Sequence, residues 1–291
     1  MFPLVDTKDP KAVSAFVAQK FASMYPGASM HFIKTILRDV EALFSGEHPS
    51  YSAIDVRYHD FEHTLQAAVC ITQLLEGRHR ADVEPKISAR MFELGMAGVL
   101  LHDVGYLKLR SDRKGTGAKY TYCHVLRSCS FAASYLPSLG ANDQEIEAVL
   151  GAINCTGPTK KIGMLRFRDP VERLIGCALA TADFLGQMAA LDYPDELEIL
   201  YNEFDESDDY LHLPASRRAF KSADDLIERT PLFWKKFVLP KLESDFQAMY
   251  RFLAQPYPAG PNPYIDAVEK NIATIRERSL ARSKRRAKIS A

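Results

Sequence analysis

Four stretches of this sequence place histidine or aspartate where the neighbouring residues read as the buried side of a helix. A buried imidazole or carboxylate without a partner costs on the order of several kcal/mol, so each group needs a proton, a hydrogen bond or an ion. The first stretch is Tyr58-His59-Asp60-Phe61-Glu62-His63. Its histidines stand four apart at the start of an amphipathic pattern and are expected to project from one helix face into a shared site. The second, Val99-Leu100-Leu101-His102-Asp103-Val104-Gly105, is an apolar helix closing on a His-Asp pair before a glycine suited to a left-handed cap. Neighbouring residues on a helix diverge by about 100°. At a helix end both can still bend toward one centre, and an aspartate can bridge two ions. The third is Asp183, which interrupts the apolar run from Ile175, with Gln187 one turn later. The fourth is His124 in Tyr122-Cys123-His124-Val125, near another helix start.

Taken singly, a residue of this kind is more often a hydrogen-bonded core or capping group than a ligand. Four such stretches in one chain favour a common site. His63, His102, Asp103 and Asp183 offer imidazole nitrogen and hard oxygen without thiolate. That donor set suits an open Zn, Mn, Fe or Mg centre rather than a closed cysteine-ligated zinc, and open coordination implies catalysis.

Helices must position these groups. Apolar residues recur at helical spacing through Ala67, Ala68, Ile71, Leu74 and Leu75, again through Met91, Leu94 and Leu101, and again through Ile146, Val149, Leu150 and Ile153. Asn142-x-x-Glu145 and Asp169-Pro170-x-Glu172 mark helix starts. The expected fold is all-α. One helical domain is expected over residues 1–263, with the motifs between about 50 and 190, followed by a helix and basic tail over 264–291. Ser111 to Gly117, Cys155 to Gly163 and Gln255 to Pro263 read as turns.

The 291 residues carry 37 basic and 37 acidic side chains, so no net field favours nucleic acid or an anionic membrane. The basic run from Arg276 to Lys288 is given no function. The amino terminus lacks the apolar stretch of a secretory signal, and no apolar run approaches roughly 18 residues. A cytoplasmic protein without a membrane partner is expected. The five cysteines form no C-x-x-C pair and read as mostly buried thiols. Gly115-Thr116-Gly117 reads as a loop, and the cluster Asp205, Glu206, Asp208 and Asp209 as a solvated acidic surface. Oligomeric state is left open.

His63, then His102-Asp103, then Asp183, in that order on helices, resembles the H…HD…D signature of the HD-domain metal-dependent phosphohydrolase superfamily. Tyr58-His59-Asp60-x-x-His63 is similar to the Y-H-N-x-x-H segment of class I cyclic nucleotide phosphodiesterases. The resemblance covers roughly residues 50 to 190 and implies a multi-helix bundle around one or two divalent ions. It implies that His63, His102, Asp103 and Asp183 hold the first ion, that Asp103 bridges to a second, and that His59 protonates the leaving oxygen. His124 would be a ligand of the second ion or a phosphate contact.

The chain also departs from these patterns. Tyr106-Leu107 follows His102-Asp103-Val104-Gly105, so the lysine of the HD-x-G-K version is replaced, and Lys108 is the nearest base. Beyond His124 only His212 remains as a later histidine. Thr230-Pro231-Leu232-Phe233 is similar to the segment that carries a purine-binding glutamine and a clamping phenylalanine, with Thr230 in place of the glutamine. Lys108, Gln187 and Phe233 are the candidate substrate contacts. The expected function is phosphodiester hydrolysis in a nucleotide-like molecule by attack of a metal-bound hydroxide, with cyclic nucleotides as one case. The alternatives are a phosphomonoesterase or nucleotidase of the same superfamily, and a regulatory module that binds a nucleotide without turnover.

Overall fold

Side-chain caps and prolines set most of the helix starts. In the computed structural model, which describes residues 5–157 and 161–289 and side chains as far as residue 282, Asp9 caps α1 (Pro10–Met24). It is followed by α2 (His31–Phe44). Asp60 caps α3 (Phe61–Arg80), and Ser88 caps α4 (Ala89–Leu101). After α5 (His124–Tyr135), Asn142 and Glu145 form the anticipated reciprocal capping box at the start of α6 (Asp143–Asn154). Asp169 accepts the Val171 and Glu172 amides ahead of α7 (Pro170–Met188), with proline in the first helical position.

The remaining helices are α8 (Tyr193–Tyr210), α9 (Ala223–Phe233) and α10 (Pro263–Ile289). Past Pro231, α9 runs on into the wide turns Trp234–Val238 and Lys241–Asp245. Among the described residues the extended chain pairs only in an isolated antiparallel bridge between Tyr51 and Leu109. The all-α expectation therefore holds.

At the centre α3 lies along α7, with α4 and α6 packed beside them. Leu65, Ala68, Ile71 and Leu74 from α3 meet Ile175, Ala178, Leu179, Ala182 and Leu185 from α7 in one continuous buried cluster. Each fully buried Leu or Ile there stabilises the fold by about 1.5–3 kcal/mol relative to exposure. The same two helices carry His63 and Asp183, so the packing that forms the core also sets the distance between those side chains.

The carboxy-terminal helix is part of this body. Tyr264, Val268, Ile272 and Ile275 of α10 are buried in the same cluster, so the boundary drawn at 263 separates no independent core. Arg278 pairs with Asp195, and Arg282 with Glu198 and Asp224. The rest of the basic run, from residue 283, lies outside the described side chains, and residues 158–160 of the expected turn lie outside the described residues.

Cys70, Cys129, Cys155 and Cys177 are buried, as the apolar surroundings predict, and Cys123 is exposed. Among the described residues no single helix is long and apolar enough to cross a membrane.

The acidic cluster on α8 differs from its expectation. Glu206 accepts the Thr116 amide and hydroxyl, Asp208 accepts the Tyr122 hydroxyl at 2.6 Å, and Asp205 and Asp209 pair with Arg218. Asp205 and Asp209 hold Arg218 in the segment that follows α8, while Glu206 and Asp208 fasten the loop that leads into α5. That loop delivers His124.

Candidate metal centre

His63 is fixed by the cap of its own helix, because Asp60 Oδ1 accepts the His63 amide at 3.0 Å and holds the first turn closed. His102 stands at the end of α4. Its Nδ1 lies 2.6 Å from the Val99 carbonyl, which can only accept, so Nδ1 carries the proton and Nε2 presents a lone pair. Asp103 has already left the helix, with φ −110° and ψ 4°, and that break swings its carboxylate toward the histidines. Asp183 is held from one turn away: Gln187 Nε2 donates to its Oδ1 at 3.2 Å, while Gln187 Oε1 accepts the Tyr58 hydroxyl at 2.5 Å.

The four groups converge. His63 Nε2 is 3.3 Å from both Asp103 Oδ2 and Asp183 Oδ1, and His102 Nε2 is 3.3 and 3.5 Å from the same two oxygens. Four buried side-chain polar atoms among the described residues have no hydrogen-bond partner, and three of them are His63 Nε2, His102 Nε2 and Asp103 Oδ2. These atoms lie in one group with ligand atoms within 4.8 Å of one another. Orphaned nitrogen and oxygen donors this close fit a metal ion, since an ion satisfies all of them at once without thiolate.

The buried Asp103 and the half-buried Asp183 require positive charge nearby. Burial opposes protonation of His63, but the carboxylates of Asp103 and Asp183 beside it outweigh that and push His63 up to about 10. Burial likewise opposes a charged His102, which the same carboxylates raise. Asp103 and Asp183 are pushed up by burial, yet the histidines hold both well below the usual carboxylate range. In the metal-free protein, the proton on His63 does what an ion would do.

Metal affinity should therefore rise with pH. His63 must lose its proton to bind an ion, so below about 10 each displaced proton makes affinity grow about tenfold per pH unit. The metal-free fold behaves oppositely. The His63 contribution to its stability is full below the ordinary value of 6.5 and disappears as pH rises through about 10. Competition titrations with a chromogenic chelator at several pH values between 6 and 9 should show the rise, and a flat profile would contradict proton displacement at this centre.

The structure brings the other expected residues to different places. His59 joins the group, but from the turn before α3 rather than from its face, with its ring 5.5 Å from that of His63. His124 opens α5, donates Nδ1 to the Thr121 carbonyl at 2.7 Å, and places Nε2 3.6 Å from Asp103 Oδ1. Asp103 thus faces His63 and His102 with one oxygen and His124 with the other. Burial lowers the His124 pKa, which keeps it neutral and suited to ligation.

Gly105 is not in the left-handed region expected of it. It is a close-approach residue in the tight turn Val104–Tyr106, where an added Cβ would stand 2.0 Å from the His124 carbonyl oxygen. Lys108 is engaged outside the cluster: its ammonium is bound by Asp55 at 2.7 Å and by the Gly115 carbonyl. Gln187 orients Asp183. Phe233 is 39% exposed, enough to offer a ring face to a ligand, and it packs against Phe184, the residue after Asp183, with centroids 6.3 Å apart.

Sequence reasoning missed Glu203. Its Oε2 lies 2.6 Å from His59 Nδ1, and its Oε1 accepts the Arg57 and Tyr58 amides at 3.0 and 2.7 Å. With Nδ1 committed to that carboxylate, Nε2 is the His59 atom available to a substrate. A signal existed, because Leu197, Leu200, Glu203 and Ser207 fall on one helix stripe of α8 and a carboxylate on an apolar stripe needs a partner. The acidic residues around it concealed it.

Neither a scan against protein-family models nor a search of the curated proteins finds a match to this chain. Fold and site together define an all-helical protein with a buried His63-His102-Asp103 group that could hold a metal ion.

Proposed function

We propose that this protein is a metal-dependent phosphohydrolase of the HD-domain type, acting on a phosphodiester in a nucleotide-like molecule. The carrying observation is the convergence of His63, His102, Asp103 and Asp183, from α3, the end of α4 and α7, with His63 Nε2, His102 Nε2 and Asp103 Oδ2 left unsatisfied by the protein itself.

His63, His102, Asp103 and Asp183 would hold the first ion, and His124 with Asp103 Oδ1 would face a second. A divalent ion bound there supplies Lewis acidity toward a phosphoryl oxygen and activates water as a nucleophile. His59 holds the proton for the departing oxygen on Nε2, and Glu203 fixes the imidazole through Nδ1. This carboxylate-backed imidazole beside the ligands favours catalysis over a module that only binds, because binding alone requires no oriented acid. Tyr58 and Gln187 hold Asp183 against rotation.

The basic residues around the His-Asp turn support the diester over a dianionic monoester. Lys108 is paired with Asp55, and Arg127 donates to the Gly105 and Leu107 carbonyls at 2.6 and 2.7 Å. Both are occupied by the fold. Phe233 and Phe184 present the aromatic surface a nucleobase would stack on.

The test is elemental analysis of protein purified without chelator, followed by a panel of phosphodiesters and phosphomonoesters with Mn, Mg, Zn or Fe(II). The expected result is about one tightly held ion per chain or more, with diesters turned over faster than the matched monoesters. A metal-free protein that neither takes up these ions nor cleaves any ester would reject the reading.

A further inference from the structure

Tyr106 is fully buried and its ring is nearly parallel to two imidazoles. It lies 4.5 Å from His59 with planes 14° apart, and 4.6 Å from His124 with planes 17° apart. The two imidazole centroids are 6.1 Å apart. On opposite faces of one ring they would be separated by about 7 Å or more, twice the van der Waals stacking distance of about 3.5 Å. Both imidazoles therefore lie side by side over the same face of Tyr106, which forms a flat floor beneath them.

That floor is held rigidly. The Tyr106 amide donates to the Asp103 carbonyl at 3.1 Å, and Arg127 grips the carbonyls on either side, at Gly105 and Leu107. Glycines permit the fit: a Cβ at Gly105 would strike the His124 carbonyl, and one at Gly117 would stand 2.1 Å from the Tyr106 carbonyl oxygen. His59 sits on a turn rather than within a helix, so its backbone alone does not set the plane of its ring. Glu203 restrains one edge through a single hydrogen bond, about which the ring could still rotate.

We infer that Tyr106 is a positioning residue whose ring face sets the plane of His59 and its spacing from His124, so that the His59 proton and the Asp103-facing imidazole meet the same phosphate. This rests on the phosphohydrolase reading for its kinetic consequence, while the positioning itself can be read without turnover. The ring face does the work, so Tyr106→Phe should match wild type within about twofold, as a volume-conserving change. Tyr106→Leu fills much of the space without a flat face. It should keep its metal and its helical far-UV signal, yet lose about tenfold or more on alkyl phosphodiesters and less on p-nitrophenyl esters, because only the poor leaving group depends on a well-aimed acid.

Proton NMR of histidine-labelled, metal-free protein supplies the independent readout. The ring protons of both His59 and His124 should be shifted upfield by the Tyr106 ring current in wild type and Tyr106→Phe. The shift should be lost in Tyr106→Leu, together with the slowly exchanging His59 Nδ1 proton. Four outcomes overturn the inference: absence of the upfield shifts in wild type, a tenfold or larger loss in Tyr106→Phe, equal losses on both ester types in Tyr106→Leu, or an unchanged His59 Nδ1 proton in that variant. A wild type that cleaves none of the esters rejects the phosphohydrolase reading instead, and the NMR comparison still decides whether Tyr106 positions His59.

Discussion

Asp103→Ala is expected to empty the metal centre and to reduce phosphoester turnover by well over about 10²-fold. Changes to groups that merely orient a ligand already cost about 10- to 100-fold. Asp103 touches more of the site than any other residue, with Oδ2 3.3 Å from His63 and His102 and Oδ1 3.6 Å from His124. The competing explanation is a buried ion-pair cluster in which the histidines stay protonated and no metal takes part. Breaking such a cluster destabilises a protein by about 3–5 kcal/mol. Loss of activity alone would not separate the two.

Chelation does. If an ion is held, its removal withdraws stabilisation of about 2.7 kcal/mol for free metal at a hundred times its dissociation constant. Wild type should then melt at a lower temperature after chelation, and Asp103→Ala should be indifferent to it. Asp183→Asn refines the comparison, because it keeps the shape that Gln187 hydrogen-bonds and removes only the charge. That variant should need a higher metal concentration for the same activity. A wild-type melting curve unmoved by chelator, with full metal retention in both variants, would leave the cluster as structure only.

The second large effect is expected at His59. His59→Ala should keep its metal and lose turnover on poor leaving groups by about 10²-fold or more, with a much smaller loss on p-nitrophenyl esters, since an activated phenolate departs without a proton. Glu203→Gln should show the same pattern in weaker form, because glutamine still accepts the Arg57 and Tyr58 amides but no longer places a charge 2.6 Å from His59 Nδ1. The shared leaving-group pattern is what identifies the two as one unit. If His59→Ala loses both ester types equally, or loses its metal, His59 is not the acid and belongs with the ligands.

The four ligand candidates were legible from local sequence for one reason. His63, His102, Asp103 and Asp183 each place a polar side chain on a helical pattern that is otherwise apolar, and a group there must find a partner. Two helix starts were legible because a cap is satisfied within its own four residues, as Asn142 and Asp169 show. Neither inference needed to know what lay across the core.

Where a role depends on two distant segments, local sequence shows at most that a partner is needed. Glu203 and His59 are separated by 144 residues, and a carboxylate on the apolar stripe of α8 acquires a named partner only when α8 is laid against the turn before α3. Lys108 read as the nearest base, and only tertiary packing brings it the Asp55 carboxylate and the Gly115 carbonyl that engage its charge. Gly105 read as a helix cap because the carbonyl that requires it belongs to His124, in a helix whose approach no local pattern encodes. Tyr106 read as an interruption of a motif and proved to be the floor under two imidazoles. Burial patterns reveal that a polar group needs a partner, because desolvation acts on that residue alone. Which partner it receives is decided by the packing of α3, α7 and α8, because an ion pair or a stacked ring exists only at contact distance.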